Sequence, residues 1–535
     1  MNRLSWKRSA VLVAVLLAVL VATAAAAAPG GRDAGITPDV IVADGPPGFL
    51  TSAAPMLRTY RSLERVKPLL TVGDTLPNGY RFEAIPDGIA IDPTDSRLFD
   101  VYVNHETSTV PFPLATTGSL TDFDNAQLSH LVLRRGTGRI TDGAIVIPSS
   151  ANFLRFCSNF YAGRAEGFDR PLLFTNEETN DILNLPPNPA WPPISGQPQL
   201  QAGRVVAYDP ATGEYRAILG MGRHNHENAV AIPGYGHPVV LSGDDTFSAP
   251  SSQLYLYMAG DADAVWNDEG HLYAFVSDDP AINDYGDLAY GDKVSGRFIA
   301  VPDDVARGDQ TALETWSNDN NVFQFIRVED LAYDRREHNV VYFADTGEPR
   351  AIPDPTTGRL MRGPSGTQGP YPNGRIFKMV LAGNDPLEVK SLSILIDADA
   401  GGYNNPAALH NPDNIETTRS SLMIQEDPGS HNGYAADDPN GVNARIWRYR
   451  FRSGALRPVA EVDQSADPAA RLGTWESSGI VDASAIFGRG AFLVNVQAHS
   501  LYVETAVVPN PLFPGNTMTQ KREGGQLLLL RIPEG

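Results

Sequence analysis

Six apolar runs in this sequence end in acidic or amide residues, so each could present oxygen ligands at one repeated structural position. They are Val101–Glu106, Leu172–Glu178, Val239–Asp245, Val341–Asp345, Leu422–Asp427 and Phe492–Asn495. Upstream of most of them a second acidic motif opens a strand: Asp87-Gly88, His226-Glu227, Glu329-Asp330, Asp413-Asn414 and Trp475-Glu476. Glu106, Asp413 and Glu476 are ligand candidates from this pattern. Carboxylate oxygens in such numbers suit a hard cation, and calcium tolerates an irregular arrangement of them.

Cys157 is the chain's single cysteine, so no internal disulfide can form. Core burial and a metal thiolate are the two uses open to it. Arg223 and Arg327 stand just before His226-Glu227 and Glu329. Each is a candidate for holding phosphate oxygens, and each could equally pair with those carboxylates. His105, His224, His226, His410 and His499 could ligate metal or carry a proton, although a lone histidine is more often structural. Neither a Gly-rich phosphate loop nor a Gly-x-Ser-x-Gly elbow accompanies these motifs, so a covalent serine mechanism is not supported.

Positioning such residues together requires a repeated element. The markers Glu106, Glu177, Asp245, Asp345, Asp427 and Asn495 are separated by 71, 68, 100, 82 and 68 residues. Each unit also contains a short strand opened by a polar residue, as in Arg204–Tyr208, Gln253–Tyr257, Arg375–Lys378 and Arg445–Tyr449. Turn dipeptides such as Asp209-Pro210 and Thr212-Gly213 punctuate hairpins. With 49 Gly and 42 Pro, the composition suits many short strands. The expectation is an all-β protein, a six-bladed β-propeller with decorated loops, in which radial packing leaves only short protected edges. The last strand, near Leu527 to Ile532, is expected to close the ring with a segment from the N-terminus. A pair of β-sandwiches would explain the strands but not the recurrence of acidic positions.

Residues 1–28 read as a signal peptide, with Arg3, Lys7 and Arg8 before the apolar run Ala10–Ala22 and small residues up to Ala28. Residues 29–80 are expected to form an N-terminal extension and 81–535 a single propeller domain. A formal net charge of -21 argues against nucleic acid as a partner, because phosphates need a basic face. The mature protein is expected to be exported, periplasmic or extracellular, monomeric, and free of the membrane once the signal is removed.

The motifs Val103–Glu106, His226-Glu227, Gly243–Asp245, Arg327–Asp330 and Pro412–Asn414, with Cys157 upstream of Thr175–Glu178, resemble the PhoX-type alkaline phosphatases. The resemblance runs from about Asp87 to His499. It implies a six-bladed propeller with a mixed iron and calcium centre that hydrolyses small-molecule phosphate esters. It further implies that Cys157 is an iron thiolate ligand and that Glu227 and Glu329 bind iron or calcium. Glu178, Asp245, Asp330, Asp345 and Glu426 would complete the calcium side. Two alternatives share the axial carboxylates: a calcium-dependent lactonase or esterase, and a non-catalytic propeller with structural calcium.

Overall fold

Strand after strand in this chain is buried on both faces, and the computed structural model shows why. It describes residues 48–92, 97–112, 116–179, 182–183, 200–246, 252–403, 405–428, 442–511 and 513–533; the signal-peptide segment lies outside them. Six antiparallel four-stranded units follow one another along the chain. The innermost strands are Pro86–Asp92, Phe156–Ala162, His226–Ala231, Val328–Tyr333, Pro412–Thr417 and Glu476–Asp482. Each packs against the next, and the sixth packs against the first, so the ring is closed and the fold is a six-bladed propeller.

The alternation of side chains along each strand supplies the packing. Leu173 joins the apolar cluster shared with blade one, while its neighbours Leu172 and Phe174 join the cluster shared with blade three. In blade five, Leu422 and Ile424 face blade four and Met423 faces blade six. One cluster of this kind fills each of the six junctions. Strands serving two interfaces must be apolar on both faces, so their hydrophobic runs are nearly continuous rather than alternating.

Ring closure uses both ends of the chain. Thr517–Arg531 is the third strand of blade six, and Arg65–Thr71 pairs with it antiparallel as the fourth. Leu57–Thr59 adds a fifth strand to blade five. Two strands from the segment expected to be an N-terminal extension are thus parts of blades. Blades three and four are further joined by Val294–Ala300, which pairs with the outer strand Asp385–Asp397. Among the described residues no helix is long and apolar enough to cross a membrane.

Candidate active site at the propeller axis

Every blade carries a β-bulge at the same place. The first residue of the innermost strand pairs with the end of the second strand: Pro86 with His105, Phe156 with Glu177, His226 with Asp244, Val328 with Asp345 and Pro412 with Glu426. Register then slips, with two residues opposing one on the partner strand, and in blade six the slip falls between Ser478 and Ile480. The bulged pairs are Asp87-Gly88, Cys157-Ser158, Glu227-Asn228, Glu329-Asp330, Asp413-Asn414 and Ser478-Gly479. A bulge breaks the alternation of faces and re-aims a side chain, which is why bulges gather at functional sites. Here it turns one residue per blade toward the shared axis: Asp87, Cys157, Glu227, Glu329, Asp413 and Ser478.

The second residue of each bulged pair ties neighbouring blades together. Ser158 Oγ donates to Glu227 Oε1 at 2.9 Å, beside Cys157 Sγ at 3.1 Å from the same oxygen. Asn414 Nδ2 donates to Ser158 Oγ at 3.1 Å, and Asn414 Oδ1 accepts from Ser478 Oγ at 3.0 Å and Gly479 N at 2.9 Å. Ser478 also donates to Asp87. Glycine is required at two of these crossings. A Cβ on Gly88 would lie 2.6 Å from Cys157 O, and one on Gly479, at φ +55°, would lie 2.3 Å from Asp87 O.

The result is a dense set of acidic groups. Ligand atoms of Cys157, Glu178 and Glu227 lie within 4.8 Å of one another, as do those of Glu227, Glu329 and Asp413. Glu227 belongs to both sets. Arg327 answers part of the charge: its Nε and Nη2 donate to Asp245 at 2.7 and 2.5 Å, and Nη2 lies 3.2 Å from Glu329. Burial pushes the carboxyls of Glu227, Glu329, Glu178 and Asp413 well above the usual range, and each is pushed further by another acid of the set. Burial, then Glu106, pushes Asp87 to about 7. Burial also raises the Cys157 thiol, aided by Asp87 and Glu227. Burial would lower the Arg327 guanidinium, but Asp245 and Glu329 outweigh it and hold it fully charged.

Four of the sequence candidates, Cys157, Glu227, Glu329 and Asp413, occupy the axial position. Glu178 and Asp245 stand beside them at the ends of their second strands. Glu106 accepts from Gln497 of blade six at 3.1 Å, and Glu476 accepts from His499 within blade six at 2.9 Å. Glu476 precedes the blade-six bulge, whose axial residue is Ser478. Three candidates are engaged elsewhere. Asp330 accepts from Ile415 N at 2.9 Å and from Asn228. Asp345 caps a turn through Ile326 N and Gly347 N. Glu426 is enclosed by Arg445, His410 N and Trp447 Nε1. Arg223 lies near Glu177 and Asp309 rather than in the cluster. Ser478 lies outside the acidic-motif pattern, and Asp87, which opens the first such motif, is not among the ligand candidates. The signal that finds them is an acid, thiol or hydroxyl followed by Gly, Ser, Asn or Asp near the start of each innermost strand.

The model of the family described as alkaline phosphatase PhoX matches residues 199–466, just over half of the chain. The chain belongs to the PhoX family. Among solved structures it is similar to Pseudomonas fluorescens PhoX in complex with vanadate, a transition state analogue: TM-score 0.59, 15% identity, 90% of this chain and 97% of that one covered. A gluconolactonase from Xanthomonas campestris gives TM-score 0.31 at 9% identity, covering 85% and 98% of the two chains. An endo-arabinase from Bacteroides thetaiotaomicron gives 0.29 at 10%, covering 71% and 97%. No curated protein matches the sequence. As a PhoX alkaline phosphatase the chain is a phosphoric ester hydrolase.

Proposed function

We propose that this chain is an exported, metal-dependent phosphatase that hydrolyses small-molecule phosphate esters at the axial cluster. The observation that carries this reading is the sharing of Glu227 between two adjacent ligand sets, one holding the thiol of Cys157 and the other purely carboxylate. A soft thiolate beside hard oxygens suits iron at Cys157, Glu178 and Glu227, and calcium at Glu227, Glu329 and Asp413. Two further observations favour cations here. Burial and mutual repulsion push the carboxyls of Glu178, Glu227, Glu329 and Asp413 well above the usual range, and Asn176 Oδ1 and Asn495 Oδ1, each opposite a bulge, are buried without a hydrogen-bond partner. When bound, the metals would neutralise the charge that develops on the phosphoryl group during transfer.

The chain's own residues orient the ester. Arg327, fixed by two hydrogen bonds to Asp245, stands beside the ligand sets as the arginine for a phosphate oxygen, in preference to Arg223. Ser158, Asn414 and Ser478 fix the carboxylate rotamers through the inter-blade hydrogen bonds, so the ligand set is preorganised. Export rests on the basic and apolar N-terminal segment, with residues 1–28 removed in the mature protein.

Elemental analysis of the purified protein, paired with phosphate release from p-nitrophenyl phosphate at alkaline pH, tests the reading. Iron and calcium are expected together, and Cys157→Ala is expected to lose iron and activity while retaining calcium. Calcium alone with no phosphate release, or a fully active Cys157→Ala, would refute the mixed centre.

A further inference from the structure

The segment joining the second and third strands of blade four carries cations that neither the metal cluster nor the ring requires. It leaves the blade at Asp345, on the end of the propeller where Thr346 Oγ1 donates to Glu329 Oε1 at 2.5 Å. Two residues on, Glu348 is buried, with its backbone N–H bound to Tyr371 O. A small hairpin follows, Ala351–Pro353 paired with Leu360–Arg362, so Arg350 and Arg362 sit side by side at its base. Both turn onto one carboxylate: Arg350 Nε lies 3.4 Å from Glu348 Oε1, and Arg362 Nε lies 3.1 Å from Oε2. Their side chains remain 30% and 35% exposed, whereas that of Glu348 is 3% exposed.

Two guanidiniums on one buried carboxylate leave a net positive charge facing solvent. That charge is near Arg327: Glu348 is two residues from Thr346, which shares Glu329 Oε1 with Arg327 Nη2, and burial, then Arg350, then Arg327 lower the basicity of Arg362 against the pull of Glu348. Tyr403, part-exposed, closes the same rim by donating to Pro349 O at 2.8 Å. In a chain of net charge -21, a positive spot beside a carboxylate-rich centre attracts a dianion that would otherwise be repelled.

We propose that Arg350 and Arg362, anchored by Glu348, form a second anion subsite that selects phosphate esters and anhydrides whose leaving group carries another phosphate or a carboxylate. This rests on the phosphatase reading above: the reacting phosphoryl group lies at the axis, and the second anion lies on the blade-four rim. Arg350 and Arg362 are specificity residues, not catalytic ones.

The test compares ADP with p-nitrophenyl phosphate in the metal-loaded full chain. Arg362→Gln keeps Arg350 to neutralise Glu348, so the fold is retained, and a melting curve checks this. Its kcat/KM for ADP is expected to fall about tenfold through KM, the worth of one hydrogen bond between charged groups, with p-nitrophenyl phosphate changed by less than about twofold. Glu348→Gln removes the buried charge that competes for both arginines, so its preference for ADP is expected to rise. Equilibrium binding of ADP measured by calorimetry should follow the same two directions, whether or not turnover occurs. If neither substrate is hydrolysed yet ADP binding shifts as stated, the phosphatase reading fails and the subsite stands. If both variants lose activity on both substrates equally, or ADP binding does not respond, the subsite is overturned.

Discussion

Replacing Glu227 with glutamine separates the two things this residue does. The ligand oxygens of Glu227, Glu329 and Asp413 lie within 4.8 Å of one another, and at an effective dielectric near 20 two full charges at that spacing repel by about 3.5 kcal/mol. Protonation relieves part of this in the metal-free protein, so removing one acid should return about 1–3 kcal/mol. Unfolding entropy for a unit of this size makes 1 kcal/mol worth about 1 °C in Tm. After chelation, Glu227→Gln should therefore melt about 1–3 °C above the wild type. With metal at about a thousandfold over Kd, the wild type gains about 4 kcal/mol, and the variant should forgo most of it. The melting order therefore reverses on adding metal, while phosphatase activity falls by at least about 100-fold. Differential scanning calorimetry with and without chelator reads the crossover. A variant less stable by the same amount in both conditions would show that Glu227 is held by packing, and the argument from shared repulsion would be lost.

Acidity should act on the chelated protein in an unusual sense. Burial pushes Asp87 to about 7 and Glu227 well above the usual carboxylate range, so between pH 4 and 7 the native state binds more protons than the unfolded one and stability falls as pH rises. Urea midpoints should be higher at pH 5 than at pH 8 without metal, with the trend removed by metal; a metal-free protein more stable at pH 8 contradicts this. Asn414→Ala strips the bonds to Ser158, Ser478 and Gly479 and leaves buried polar groups unpaired, at a cost of about 2–4 kcal/mol by chemical denaturation. A loss under about 0.5 kcal/mol would mean that the inter-blade bonds contribute nothing. Deleting residues 65–71 exposes the edge of Thr517–Arg531 and should broaden the unfolding transition and speed proteolysis of blade six; an unchanged, sharp transition would deny this strand its role in closure.

Much of the site could be read from the sequence because the repeat makes it redundant. Acidic openings on successive strands imply a common register, and Glu227, Glu329 and Asp413 followed from that logic, while Cys157 was singled out as the lone cysteine and by the family resemblance. Glu426 and Asp345 end their apolar runs much as Glu178 and Asp245 do, yet pairing puts them one residue earlier, level with Glu177 and Asp244, and they take different partners. Arg445 and Trp447 enclose Glu426, and two backbone N–H groups hold Asp345. Which acid joins the axial set therefore depends on strand register and on partners tens of positions away, which the run of apolar residues does not record.

The sequence by itself determined the repeat, the number of blades and the excess of carboxylates, since these follow from local hydrophobic periodicity and composition. Tertiary structure alone decided which residues meet at the axis. A bulge of one residue per blade shifts the face that each side chain presents, so Ser478, not Glu476, reaches the centre in blade six, and Asp87 joins it from blade one. Ring closure between the last strand and an N-terminal segment was expected from the sequence, but that the segment is Arg65–Thr71, and its register, only the folded backbone specifies.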